Sequence, residues 1–147
     1  MRLLYSCFAN HGWAARLAAG RPYADLTAVL ASADVAWSEL APGDWLEAFA
    51  AHPRIGERGG HSPAASDREQ SAARDASAAT LAALAAENRD YEARFGHVFI
   101  ISATGRTAEE MLAELRRRIS NGPATELQVA AREQREITKL RLEHLLK

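Results

Sequence analysis

His52 opens the chemical reading of this sequence. Pro42-Gly43-Asp44 predicts a helix start, with Trp45, Leu46, Ala48 and Phe49 as the inner face. That helix must stop by His52, because Pro53 disfavours helical backbone in the residue before it. A helix C-terminus carries partial negative charge and favours a protonated imidazole. Such a ring can act as a general acid, or it can cap the helix and do no chemistry. Next comes Arg54-Ile55-Gly56-Glu57-Arg58-Gly59-Gly60-His61-Ser62-Pro63, the longest stretch without a helical period. Loops of this kind often carry function when a rigid scaffold holds them. Ser66 and Glu69 then form a capping box that starts a helix to about Ala73. Glu69 is either the acid that closes that box or a catalytic acid. Gln70 beside it reads as a solvated helix residue.

Three further features bear on chemistry. Phe95 to Ser102 is apolar, aromatic and β-branched, the one β-like piece of the chain. A single strand makes no sheet. The main-chain groups of Phe99, Ile100, Ile101, Ser102 and Ala103 therefore need other partners, from a ligand or from the core around a connector. Arg116-Arg117-Arg118 reads as a solvated basic face, with Glu109, Glu110 and Glu114 one or two turns earlier. Arg141, between Leu140 and Leu142, is the cation of the last helix expected to point inward. The five histidines show neither HxxxH nor HExxH spacing, and there is no GxSxG elbow.

The elements that must position these residues are helical. Alanine, leucine, arginine and glutamate are frequent, and no long alternating segment marks a sheet. The expectation is an all-α protein, a single multi-helix domain over residues 1–147 with about six to eight helices. The first helix covers roughly Leu3–Ala19, with Leu4, Phe8 and Ala15 on its apolar stripe. Gly20-Arg21-Pro22 breaks the chain, and short helices follow at Ala24–Ala33 and Asp34–Leu40. A longer one runs from about Ser77 to Arg94. Thr107 and Glu110 form a second capping box, opening a helix to about Ser120. Asn121-Gly122-Pro123 stops it, and the last helix runs from about Ala124 to Leu146.

Composition excludes several classes. The 147 residues carry 18 Lys+Arg and 19 Asp+Glu, a formal net charge of −1. That balance gives no general pull toward nucleic acid or an anionic membrane. The single cysteine, Cys7, allows neither an intrachain disulfide nor a cysteine-based zinc site, which fits a cytoplasmic location. No apolar run approaches the roughly 18 residues of a transmembrane helix. Leu3–Ala9 is followed at once by His11, Trp13 and Arg16 and does not read as a signal peptide.

Taken in order, the motifs resemble those of the OHCU decarboxylase family, the 2-oxo-4-hydroxy-4-carboxy-5-ureidoimidazoline decarboxylases. They are Arg21-Pro22-Tyr23, Trp45 to Phe49 leading into His52-Pro53-Arg54-Ile55-Gly56, Ser66-x-x-Glu69-Gln70, and Asn88-x-x-Tyr91-x-x-Arg94-Phe95-Gly96. Phe99-Ile100-Ile101, Gly105-Arg106, Arg118-x-x-Asn121, Glu126 and Ile137-x-x-Leu140-Arg141-Leu142 complete the series. The resemblance implies a helical, cofactor-free enzyme, commonly a homodimer. Its substrate would be the ureidoimidazoline formed after urate oxidase and 5-hydroxyisourate hydrolase, its products CO2 and (S)-allantoin. His52 matches the family's proton donor and Glu69 its acidic partner. Pro53, Ser66 and Gln70 match residues beside the substrate. Phe99 to Ala103 matches a segment whose backbone meets the ring, and Arg141 a basic residue of the site. Ser102 stands where members commonly carry cysteine. Two other readings accompany this one: a helical binding domain that kept the fold without activity, and a lyase or hydrolase acting on a related ureide.

Overall fold

Seven helices run through the residues that the computed structural model describes, 2–52 and 78–146. They are α1 (Arg2–Cys7), α2 (His11–Ala19), α3 (Leu26–Ser38), α4 (Pro42–Phe49), α5 (Ala78–Phe95), α6 (Ala108–Arg118) and α7 (Pro123–Leu145). No strand occurs among the described residues, in line with the all-α expectation. The capping-box helix expected after Ser66 lies outside them.

The expected first helix is two helices. Asn10 takes an extended conformation and its Oδ1 accepts from the Trp13 N–H at 2.9 Å, which starts α2 afresh. Its Nδ2 donates to Asp44 Oδ1 and Glu47 Oε2, both at 3.1 Å, so one buried amide joins the start of α2 to α4. The inner face of α2 is Trp13, Ala14 and Leu17, and Ala15 is exposed. The two short helices expected over 24–40 are one, α3, capped by Asp25 through the Ala28 N–H at 2.9 Å. Asp34 does not interrupt it, because its side chain reaches solvent and pairs with Arg135 of α7 at 2.8 Å. In α4 the buried residues are Ala48 and Phe49, while Leu46 is 42% exposed.

The Thr107–Glu110 capping box is formed at the start of α6. Pro123 is the first residue of α7 rather than only the stop after α6, since Pro fits where the N–H lacks an intrahelical partner anyway. Tyr23, of the Arg21-Pro22-Tyr23 motif, donates to Leu17 O at 2.7 Å and lies 3.1 Å from Ser32 Oγ. Its phenol passes so close over Gly20 that a Cβ there would collide with it. Gly96 ends α5 with φ +80°, a left-handed cap that side chains resist.

Three apolar clusters fill the interior. One joins α1, α2 and α3 and takes in Ala48 and Leu142. A second joins α5 and α6 around Leu84, Tyr91, Met111 and Leu115. The third joins Phe49 of α4 to Ala130, Ala131 and Ile137 of α7. Residues 98–103 run between the last two. Phe99, Ile101 and Ala103 face the α5–α6 cluster, and Val98 and Ile100 face the α4–α7 cluster. That alternation is the period of an extended chain. The β-like composition is thus explained by a connector buried on both sides.

Candidate active site

The site is built where α4 ends, α7 passes and the extended segment crosses. His52 follows the last turn of α4, its N–H donating to Phe49 O at 3.1 Å. Phe49 packs with Ile100 and with Ala130 and Ile137, so one cluster carries the end of α4, the middle of the segment and one face of α7. The His52 ring reaches α7 itself: Nε2 lies 2.5 Å from Gln134 Oε1. Gln134, Ile137, Thr138 and Arg141 follow i, i+3, i+4, i+7 spacing, and all four are buried. Arg141 is 5% exposed, so it does point inward as its apolar neighbours predicted.

The extended segment is held by two arginine–carboxylate pairs. Arg118 is fully buried and grips the equally buried Glu126, with Nη2 2.5 Å and Nε 3.0 Å from Oε2. Its Nη1 donates to Ile100 O at 2.9 Å, and its guanidinium carbon lies 4.5 Å from the Phe99 ring centre. Tyr91 and Asn121 complete the carboxylate's partners, through a short bond from the phenol and one of 3.1 Å from the amide. Burial first, and then the hydrogen bond to Glu126, push the Tyr91 phenol well above its usual range. The second pair is Arg106–Glu133 at 2.7 Å. Glu133 Oε1 accepts from the Ser102 N–H at 3.2 Å, and Arg106 Nη1 donates to Ser102 O at 3.1 Å.

The polar main-chain groups of Ile100 and Ser102 thus face these side chains. The side chains of Phe99 and Ile101 are spent in packing, at 5% and 7% exposure. Among the described residues neither the N–H nor the C=O of Ile101 has a hydrogen-bond partner. What the segment can offer a small molecule is therefore main chain at Ile101.

Of the residues singled out in the sequence, His52, Ile100 and Ser102 meet α7, through Gln134, through Ala130, Ala131 and Ile137, and through Glu133, while Arg141 stands on that helix one turn beyond Ile137. Phe99, Ile101 and Ala103 pack toward α5 and α6. Pro53, Ser66, Glu69 and Gln70 lie outside the described residues. The solvated-face reading of the three consecutive arginines is corrected at Arg118. Met111, Leu115 and Arg118 follow i, i+4, i+7 spacing, so Arg118 continues the apolar face of α6. That spacing was readable beforehand. Gln134 and Thr138 were missed altogether, although they share the α7 face of Ile137 and Arg141. A separate cavity of about 300 Å³ lies between α2, α3 and α7, lined by Trp13, Trp37, Asp34, Arg135 and Lys139 among others. Thr138 lines it as well, but none of the residues singled out in the sequence does.

Residues 1–143 match the family model described as OHCU decarboxylase, and the chain belongs to that family. It is 39% identical over 145 residues to the uric acid degradation bifunctional protein TTL of Arabidopsis thaliana. That match takes in 95% of this chain and 45% of the relative, so the chain spans less than half of that protein's length. Over 59 residues it is 41% identical to a 2-oxo-4-hydroxy-4-carboxy-5-ureidoimidazoline decarboxylase of Amia calva, covering 40% of this chain and 34% of that one. A crystal structure of OHCU decarboxylase in the presence of (S)-allantoin superposes with a TM-score of 0.87 at 35% identity, over 99% of this chain and 98% of that one. A crystal structure of (S)-allantoin synthase shares the fold, with a TM-score of 0.72 at 20% identity over 97% of this chain and 48% of that one. No helix of the described residues is long and apolar enough to cross a membrane.

Proposed function

We propose that this chain decarboxylates 2-oxo-4-hydroxy-4-carboxy-5-ureidoimidazoline to CO2 and (S)-allantoin, a step of urate degradation. The observation that carries the reading is the family match over residues 1–143; the half-buried His52 held against Gln134 of α7, and the buried Arg141 on that same helix, support it. The relatives' names, urate degradation and (S)-allantoin among them, point the same way.

Loss of CO2 leaves an electron pair at carbon that the neighbouring ring carbonyl can delocalise. Such a reaction needs donors aimed at the developing charge and a proton delivered to one face. His52 is the proton donor in this reading. The N–H bond of its imidazolium breaks as the new C–H bond of allantoin forms, and the ring is left neutral. The side from which the ring approaches sets the chirality of the product. Arg141 holds an anionic or carbonyl edge of the substrate, and the Ile101 main chain fixes the ring plane. Glu69 holds the imidazolium or crowds the departing carboxylate, with Pro53, Ser66 and Gln70 beside the substrate. The same reading includes a cytoplasmic homodimer that receives its substrate from urate oxidase and 5-hydroxyisourate hydrolase. No cofactor is part of it.

The test generates the substrate in situ from urate with those two enzymes and follows circular dichroism. A rapid (S)-allantoin signal that scales with added protein is the expected result. A slow, racemic signal indifferent to the protein would overturn the reading.

A further inference from the structure

We infer that Gln134, pinned by Thr138, is a positioning residue that fixes the His52 imidazole and keeps a hydrogen on its Nε2. Thr138 Oγ1 donates its one proton to the main-chain oxygen of Gln134, one turn earlier, at 2.9 Å. Toward the glutamine side chain it therefore presents only a lone pair, and Gln134 Nε2 donates to it at 3.1 Å. The NH2 end of the amide is thereby turned to Thr138 and the oxygen to His52. An amide oxygen only accepts, so the His52 Nε2 that lies 2.5 Å away carries a hydrogen.

The arrangement accepts two of the ring's three forms, the imidazolium and the neutral Nε2–H tautomer. It opposes the third, in which Nε2 is bare and faces an amide oxygen. Reversing the amide would set its NH2 against an Nε2–H, donor against donor. It would also draw the threonine proton off the Gln134 carbonyl. Gln134 is 1% exposed and Thr138 4%, so both partners of the amide bond are largely withdrawn from bulk water. Both stand on the rigid middle of α7, whereas His52 stands past the end of α4 with no helix of its own. The imidazole thus gains from α7 the orientation that its own backbone does not supply. A ring with one nitrogen fixed against the scaffold presents the same edge in every turnover, which is what single-faced protonation needs. The catalytic consequence rests on the decarboxylase reading; the tautomer and ring orientation do not.

The experiment has two arms on the same full-length proteins. The first records imidazole ¹⁵N–¹H correlations of histidine-labelled protein, assigned with His52→Gln. The wild type should show a solvent-protected His52 Nε2–H. Gln134→Leu should abolish that protection, Thr138→Val should weaken it, and Gln134→Glu and Thr138→Ser should keep it. The second arm measures turnover and the enantiomeric excess of allantoin. Gln134→Leu should lose about 10–100-fold in turnover, the usual range for a residue that orients a reacting group. The binding of (S)-allantoin, measured by calorimetry, should change less than about threefold, since uniform binding is untouched. Gln134→Glu and Thr138→Ser should restore turnover. A folded Gln134→Leu with a protected Nε2–H and full stereoselective turnover would overturn the inference. Should that variant fail to fold, Thr138→Val, which keeps Gln134 in place, decides by the same two signals. A wild type that makes no (S)-allantoin would sink the functional reading, while the first arm would still judge the positioning.

Discussion

Arg116, Arg117 and Arg118 are neighbours in sequence, each faces a carboxylate, and the three have nothing else in common. Arg116 reaches across to Glu87 of α5 with two bonds of 2.8 Å, and Arg117 pairs with Glu114 on its own helix. Both arginines are more than half exposed. Each pair holds its carboxyl below the usual range through the arginine hydrogen bond. Arg118 and Glu126 have no exposure at all, and their partners extend to Tyr91, Asn121 and Ile100. Exposed pairs gain little because water and salt screen them. A buried pair costs desolvation and is kept only when the remaining hydrogen-bonding capacity is satisfied. What separates Arg118 from its neighbours is a main-chain oxygen of the site: it holds Ile100 where the other two hold only a surface.

The largest effect expected is the loss of one member of the buried pair. Arg118→Ala should cost about 3–5 kcal/mol in urea unfolding, because Glu126 is left as an unpaired buried charge. Replacing the group together, Arg118→Met with Glu126→Leu and Tyr91→Phe, should recover most of that stability, since well-packed apolar side chains serve as well as a buried pair. In that folded triple variant, main-chain hydrogen exchange around Ile100 and Ile101 should still rise, the Ile100 oxygen having lost its donor. Unchanged exchange there would mean that the pair is a core element with no hold on the site.

A smaller effect comes from Tyr91. The folded protein keeps its phenol protonated beyond the pH at which the unfolded chain, with a value near 10.0, releases the proton. Its stabilising contribution is therefore whole below about pH 10 and is lost as pH rises above it. The slope is about 1.4 kcal/mol per pH unit for a single group. Urea midpoints from pH 9 to 11 should fall less in Tyr91→Phe than in the wild type. Equal slopes would place Tyr91 outside the buried network. The smallest effect belongs to the exposed arginines. Arg116→Ala and Arg117→Ala should leave the melting temperature and the allantoin signal unchanged at physiological salt. A large loss in either would erase the contrast between the two kinds of pair.

The same contrast explains how much was legible in the sequence. The helices of the second half were readable because caps and breakers are local: Thr107 with Glu110, Gly96, and Gly122-Pro123 act within a turn of themselves. The first half was less readable. Asn10 caps α2 through the nearby Trp13 N–H, but the bonds that tie its amide to Asp44 and Glu47 come from far along the chain, which local pattern does not reveal. His52 and Arg141 could be named from their neighbours, a proline in one case and flanking leucines in the other. Gln134 and Thr138 look like ordinary helix residues, and their role depends on a ring 82 positions away. The segment 98–103 was readable as extended but not as clamped, since its clamps come from α6, α7 and the loop before α6.

In the proposed reaction His52 gives its proton to one face of a decarboxylated ureidoimidazoline. The direct measurement compares wild type and His52→Asn at equal concentration, with substrate generated in situ and product chirality followed by circular dichroism. The wild type should give rapid (S)-allantoin. A His52→Asn variant that is helical by far-ultraviolet dichroism and still binds (S)-allantoin should give only the slow racemic background. Fast, single-handed allantoin from His52→Asn would move the proton donor to another residue.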